Sequence, residues 1–195
     1  MTGYDSTVMR AASILGLGFL VCVAVGCQRS KQQAVVIEPS AMYANPDAVP
    51  GDPFGSANPA YKRLAEVTNA ALATKCCGTL EEFAPWLEEQ TVAVERSLAL
   101  LKAIRTGPLD VYAVANGRIA LVYDHIAVVL TEASRVAEER GLEAEWKDQE
   151  ARLWTQSHAF WARCVRGCAT AGTHLAAWEL RCNAGLANSQ VKSTP

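Results

Sequence analysis

The chain has 195 residues, of which 50% are hydrophobic and 19% charged, and its formal net charge is −2. It is long and apolar enough to form one domain with a sizeable core. The near-neutral charge, and the lack of a basic stretch interleaved with aromatic residues, argue against a nucleic-acid-binding protein.

The chain begins with an uncharged apolar segment, residues 11–26, which follows Arg10 and contains no proline. A helix that crosses the hydrocarbon core of a membrane needs about 20 apolar residues. This segment is short for that purpose and fits the apolar region of a secretory signal peptide. The alternatives are a transmembrane anchor and a cleaved signal that releases the protein completely.

The apolar segment ends at Cys27, directly before the polar residues QRSKQQ. The residues Ala24-Val25-Gly26-Cys27 resemble the lipobox of bacterial lipoproteins, with Ala24 where Leu is more usual. The resemblance implies that signal peptide 1–26 is removed and that Cys27 is acylated, which anchors the protein in a membrane. Gln28 replaces the Asp that retains such proteins in the inner membrane of enteric bacteria. The resemblance therefore implies the outer membrane, facing the periplasm.

Residues 27–58 are predicted to be the lipidated cysteine and a flexible tether. The segment is interrupted by prolines and glycines, which do not favour regular secondary structure. These are Pro39, Pro46, Pro50, Pro53, Gly51 and Gly55. The alternative is that a part of the segment packs on the domain, because Val35, Val36 and Ile37 are consecutive apolar residues.

Two helices are predicted between residues 59 and 107. Asn58 and Pro59 form a typical helix start, and a first helix is expected over about 59–75. Thr79 and Glu82 fit a capping box at the start of the second helix. Pro85 is expected to bend its first turn or to move its start towards Ala84. Gly107 and Pro108 end it.

The third helix has the most regular periodicity. Its apolar residues recur at alternating steps of three and four, which predicts a stripe that faces other helices. The stripe consists of Tyr112, Ala115, Ile119, Val122, Ile126, Val129, Ala133 and Val136. The helix is expected to end near Arg140 and Gly141.

The fourth helix is predicted to start near Leu142 and to carry two apolar stripes. The first contains Leu142, Trp146, Leu153, Phe160 and Cys164, and the second contains Trp154, Trp161 and Val165. Two stripes indicate neighbours on both sides. A break is expected between Gly167 and Gly172, followed by a last helix over about 172–184 that carries Leu175, Trp178 and Cys182.

These patterns predict an all-α protein, an up-and-down helical bundle of four long helices plus a shorter C-terminal helix. No window alternates as a strand does. The bundle domain is expected to span 59–185, and residues 186–195 are expected to be a disordered tail.

Five cysteines follow the tether, and an exported protein is expected to form disulfides. They are Cys76, Cys77, Cys164, Cys168 and Cys182. In an up-and-down bundle the last helix runs back towards Cys76 and Cys77, so a bond from Cys182 to one of these is the favoured pairing. A bond within the vicinal pair is disfavoured. A local bond between Cys164 and Cys168 is possible, and at least one thiol of the five stays free or pairs between molecules.

Two ligand sites are the alternatives. Cys164, Cys168 and His174 could hold a soft metal ion such as Cu(I) or Zn. The other histidines, His125 and His158, could ligate haem, although C-x-x-C-H is absent and a packing role is expected for each. No cofactor is expected in the main interpretation.

No catalytic motif is present: the sequence contains no G-x-S-x-G, no P-loop and no H-E-x-x-H. The leading hypothesis is a lipid-anchored envelope protein with a structural or adaptor role, which binds another envelope protein through an exposed helix face. The alternative is a carrier of a small ligand, either a soft metal ion or haem.

Overall fold

A computed structural model of the chain describes residues 49–54, 57–139 and 146–193. Cys27, the signal segment and Val35–Ile37 lie outside the described residues. The described part is all-helical and contains no strand. Its five α-helices are α1 (Pro59–Ala73), α2 (Leu80–Ile104), α3 (Leu109–Glu139), α4 (Trp146–Ala171) and α5 (Ala176–Ser193).

The starts of α1 and α2 follow from their capping residues. The Asn58 side chain accepts a hydrogen bond from the Tyr61 amide at 2.9 Å, and Pro59 is the first helical residue. The Thr79 hydroxyl accepts a hydrogen bond from the Glu82 amide at 3.4 Å. Both predicted capping residues are confirmed, but the Glu82 carboxylate accepts its hydrogen bond from the Gly78 amide, at 2.7 Å, one residue before the amide that a capping box would use. Pro85 does not delay α2, which begins at Leu80 and contains this proline.

Helix α3 forms the centre of the domain, and α1, α2, α4 and α5 all contact it. The predicted stripe is buried apart from Tyr112, which is half-buried. Burial extends far beyond that stripe and covers nearly every residue from Val111 to Leu130. Among the described helices, only α3 is long and apolar enough to cross a membrane, and 94% of its apolar window is buried within the protein. The apolar composition of α3 is therefore explained by its position in the core of the domain.

Helices α3 and α4 pack antiparallel and form the largest helix contact. Thr131 donates a hydrogen bond to Glu150, and Ser157 donates one to Asp124. Gly167, near the other end of α4, lies directly against Ala113. The C-terminal part of α3 thus contacts the N-terminal part of α4, and the N-terminal part of α3 contacts the C-terminal part of α4.

The predicted break after α4 is confirmed at Gly172. This glycine has a φ of +85°, a conformation that residues with a Cβ rarely adopt. A short 3₁₀ turn, Thr173–Leu175, follows and leads into α5. Helix α5 then returns along α4, since Gly185 lies against Trp161 and His158 approaches Ser189.

The predicted tail from residue 186 is wrong for residues 186–193, because α5 continues to Ser193. Ser189 is fully buried, and its hydroxyl donates a hydrogen bond to the Leu186 carbonyl at 3.0 Å. The polar residues of NSQVKS therefore belong to a helix that packs on α4, although their composition resembles that of a tail.

The predicted tether is also too long at its C-terminal end. The Trp178 indole donates a hydrogen bond to the Gly51 carbonyl at 3.1 Å, and the Phe54 ring meets the Tyr61 ring edge-on at 5.0 Å. Val49 packs against the same core. Residues 49–54 therefore cover α1 and α5, and the prediction of a free segment up to residue 58 is wrong for them.

Candidate functional site

Three buried cysteines meet where α4 and α5 face α3. Cys164 and Cys168 lie one turn apart on α4, and Cys182 comes from α5. Their sulfur atoms all lie within 4.8 Å of one another. Cys164 and Cys182 form a disulfide, and Cys168 is a free thiol whose Sγ lies 3.9 Å from that of Cys164.

The expected bond from Cys182 to Cys76 or Cys77 is therefore wrong. Cys164 lies eight residues before Gly172 and Cys182 ten residues after it, so the two meet in the helical hairpin. At about 1.5 Å per residue, α5 has covered less than half the length of α4 when it reaches Cys182. At Cys182 the helix is therefore still far from the connection between α1 and α2, which contains Cys76 and Cys77. The possible Cys164–Cys168 bond is not formed either.

Cys76 and Cys77 are bonded to each other, with a Cα–Cα distance of 3.6 Å, so the expectation against a vicinal bond is also wrong. The pair lies in the connection between α1 and α2. Cys77 is buried beside Phe83 and Trp86. This bond joins neighbours in sequence, whereas the Cys164–Cys182 bond joins two helices.

His174 is not part of the cysteine cluster. It lies in the turn after α4, its side chain is half exposed, and its Nε2 atom lies 3.3 Å from an Asp110 carboxylate oxygen. The predicted set of Cys164, Cys168 and His174 is therefore replaced by three cysteines. Sequence reasoning missed Cys182 as the third member because only the hairpin brings it back to α4.

The environment of the cluster is apolar and tightly packed. A Cβ atom on Gly117 of α3 would lie 2.8 Å from the Cys164 sulfur and 3.0 Å from the Trp178 ring, so only glycine fits there. Burial, together with the nearby Glu179 carboxylate, raises the pKa of the Cys168 thiol to about 11. Cys168 is thus protonated and a poor nucleophile at neutral pH. As it stands, the site is a cross-link with an inert thiol beside it.

Two buried polar groups on α3 fasten neighbouring helices. Asp124 accepts hydrogen bonds from the Ser157 hydroxyl and, at 3.0 Å, from the Trp161 indole of α4. Arg118 donates hydrogen bonds to the Tyr61 hydroxyl at 2.8 Å and to the Asn69 side chain at 2.9 Å, both on α1. These contacts give each polar group a structural role.

The three histidines have separate surroundings. His125 is buried and lies 5.6 Å from the Trp86 ring of α2, whereas His158 faces Ser189 of α5 and His174 faces Asp110. Neither ring nitrogen of His125 has a hydrogen-bond partner among the described residues. Burial lowers its pKa, and the nearby Thr74 carbonyl opposes this effect only in part. Each histidine thus packs against a different element.

Helix α5 carries apolar residues on two opposite faces. The inner α5 stripe faces α4 and α3 and consists of Trp178, Cys182, Gly185 and Ser189 together with Leu175 from the preceding turn, all buried. The outer α5 stripe consists of Ala177, Leu180, Ala184, Ala187 and Val191, all exposed. The side chains of Leu180 and Val191 are among the most exposed large hydrophobic groups, at 75% and 77%.

The outer α5 stripe was missed by sequence reasoning, although its signal is present. Both stripes repeat at steps of three and four, and the outer one is displaced from the inner one by two residues. Two residues correspond to about 200° around a helix, so the stripes lie on opposite sides. The last helix was predicted to end near residue 184, so Ala187 and Val191 were not assigned to it and the outer repeat was not recognised.

A shallow groove of about 670 Å³ lies between α1 and α2. It is lined by acidic, apolar and basic side chains, among them Glu66, Glu89, Val92 and Arg96. The buried Gln90 also borders it, and the Oε1 atom of Gln90 has no partner within the described part of the chain.

Comparison of the sequence and the fold with protein families, curated proteins and solved structures finds no match. The function is therefore argued from the residues of this chain alone.

Proposed function

We propose that the protein is a lipid-anchored envelope protein with a structural or adaptor role, whose helical domain binds another envelope protein. The anchor is acylated Cys27, and the location is the outer membrane, facing the periplasm. The support for this is the Ala24-Val25-Gly26-Cys27 pattern, which follows an apolar run too short to span a membrane. Acyl chains on one cysteine would hold the domain at the membrane surface.

The observation that carries the adaptor role is the outer α5 stripe. A surface helix of a single domain normally has one apolar face, which it buries. Helix α5 has a second one, and it leaves Leu180 and Val191 in solvent. Exposed apolar faces of this kind are typical of protein interaction sites.

We further propose that the five helices form an up-and-down bundle. Helices that follow one another along the chain also contact one another, from α1 with α2 through to α4 with α5. Short connections join α1 to α2 and α2 to α3, which favours antiparallel neighbours.

The anchor is tested with the substitution Cys27→Ser in the full chain. Without the thiol, we expect no fatty-acid labelling and a precursor that keeps its signal segment. Cys22→Ser is the matched control, because Cys22 lies inside the apolar run, and it should be labelled and cleaved like the unchanged chain. Labelling that persists in Cys27→Ser would refute the anchor.

The adaptor role is tested by replacing Leu180 and Val191 with Glu, which removes the apolar character of the outer α5 stripe without touching the core. We expect a protein that keeps its helical content and melting temperature but no longer co-purifies with its envelope partner. Lys62→Glu and Arg63→Glu on the exposed face of α1 are the control. Equal recovery of the partner by both variants would refute a role for α5.

A second candidate function, a carrier of a soft metal ion, is favoured by the cysteine cluster. An external dithiol that reduces the Cys164–Cys182 bond, and is itself oxidised to a disulfide, would give three thiols within reach of one ion. Three soft sulfur ligands suit Cu(I), whereas structural zinc sites have four ligands. Each thiol that binds the ion would release its proton.

The metal site is tested by titrating the reduced chain with Cu(I) in the absence of oxygen. We expect one copper ion per chain to remain bound after gel filtration, and Cys168→Ser to lose it. The vicinal pair serves as the control, since Cys76→Ala with Cys77→Ala should leave copper binding unchanged. Equal copper binding by the Cys168→Ser variant would exclude the cluster.

A further inference from the structure

The outer α5 stripe has the spacing of a coiled-coil seam. Its five members, residues 177, 180, 184, 187 and 191, step by three, four, three and four, so they occupy the a and d positions of two heptads. All five are exposed. Such a seam is matched most simply by another helix with the same repeat.

We propose that the outer α5 stripe pairs antiparallel with the same stripe of a second copy of this chain. This inference rests on the proposed role of the outer α5 stripe in binding a protein, and it names a second copy of this chain, in place of a different envelope protein, as that partner. In a closed dimer the same patch is used twice, so the stripe has to be complementary to itself. The side-chain sizes and the charges of α5 meet this condition.

The sizes match when the two-fold axis passes between Gly185 and Leu186. Leu180 then lies opposite the partner's Val191, and Ala184 lies opposite the partner's Ala187. Each layer combines an a position with a d position, as antiparallel coiled coils require. The large residues meet at the two ends, and the alanines in the middle allow the helices to approach closely.

The charges beside the seam also favour a second copy. Residues 182–191 carry no charged side chain. In the antiparallel pair, Asn183 lies beside the partner's Gln190, and Arg181 lies beside the partner's Asn188. No two like charges meet, whereas a row of lysines or glutamates would repel its own copy. A strongly charged partner would find no complementary charge along this seam.

The contact is short. In this register the paired seam runs from Leu180 to Val191, and eleven residue steps at about 1.5 Å each give it a length of roughly 17 Å. Four paired seam residues a side are far fewer than the roughly 20–30 of a standard interface. The pair is therefore weak in dilute solution, and confinement of both chains to one membrane raises their effective concentration.

The test places a photoreactive amino acid at position 180 of the full chain in cells that make it. Irradiation is expected to give a product of twice the chain mass. The antiparallel pair predicts that residue 180 joins the tryptic peptide 182–192, which contains Val191, whereas a parallel pair would join it to peptide 167–181. The photoreactive residue at position 62 on α1 is the control and should give no such product.

A second variant tests the middle of the seam. Ala184→Glu would bury a carboxylate in each copy, so the yield of the cross-linked product should fall roughly tenfold or more. Lys62→Glu should leave the yield unchanged. The melting temperature shows that both variants are folded.

The outcomes separate this inference from the proposed function. A link to peptide 182–192 of a second copy supports self-pairing and means that the outer α5 stripe is not free to bind a different envelope protein. A link to peptide 167–181 overturns the antiparallel arrangement, and a link to one defined envelope protein overturns self-pairing but leaves the adaptor role standing. A link to lipid, or no product, overturns both.

Discussion

Helices α3 and α5 are both rich in apolar residues, but they use them differently. Helix α3 is buried on every side from Val111 to Leu130, with only Tyr112 and Tyr123 partly exposed. Helix α5 has two apolar faces, of which one is buried and the other lies in solvent. Apolar composition alone would place both helices in the core.

The difference comes from the number of neighbours. Helix α3 is contacted by α1, α2, α4 and α5, so every side of it finds an apolar partner. Helix α5 packs mainly on α4 and makes a smaller contact with α3. Its remaining side is exposed to solvent. The comparison teaches that an apolar repeat shows which residues can be buried, while the arrangement of the other helices decides which of them are.

The largest expected effect compares the same substitution on both helices. Leu130 on α3 is fully buried, and Leu180 on α5 is 75% exposed. Leu130→Ala removes core contacts and leaves a cavity, so the free energy of unfolding should fall by about 2–5 kcal/mol. Leu180→Ala should change it by less than about 0.5 kcal/mol. Urea unfolding followed by circular dichroism measures both, and equal losses would mean that the outer α5 stripe is buried.

The next effect concerns the bond that holds α5 on α4. Cys164 and Cys182 are 18 residues apart, and a cross-link of this span restricts the unfolded chain. The pair of substitutions Cys164→Ala and Cys182→Ala should therefore lower the free energy of unfolding by about 3 kcal/mol.

The matched control is Cys76→Ala with Cys77→Ala. That bond joins adjacent residues, so it closes no loop and its removal should change the free energy of unfolding far less. A loss for the vicinal pair as large as that for Cys164 and Cys182 would contradict the loop-closure explanation.

The smallest expected effect is a pH dependence of the free energy of unfolding, which arises from the buried His125 on α3. Burial lowers the pKa of His125 below 6.5 in the folded protein, while the unfolded chain keeps the ordinary value. Below pH 6.5 the unfolded state binds more protons, so this histidine lowers the free energy of unfolding as the pH falls. Its contribution becomes constant only well above pH 6.5, where the imidazole is neutral in both states.

The measurement is the melting temperature of the unchanged chain and of His125→Leu between pH 7.5 and pH 5. The variant should lose less stability on acidification than the unchanged chain, because it has no buried imidazole to protonate. Identical pH profiles would mean that His125 is accessible to water in the folded protein.

Local features of the helices were predictable from the sequence. Asn58, Thr79 and Gly172 act within a few residues of their own position, so the two helix starts and the break after α4 could be read directly. The repeat along α3 identified one buried stripe, because helical spacing depends only on the chain itself, but not the burial of the other sides of the helix. The all-α class follows from the same local signals.

Contacts between distant parts of the chain were decided by the tertiary structure alone. Cys182 bonds to Cys164 because the hairpin at Gly172 brings α5 back along α4. No local sequence pattern indicates which residues of α4 lie beside Cys182. Residues 49–54 and 186–193 have the composition of loops, yet they pack on Trp178 and on α4. Both faces of α5 have the same repeat, and only the position of α4 buries one of them. Local patterns specify helices because their hydrogen bonds are local, whereas burial and disulfide pairing depend on which elements become neighbours.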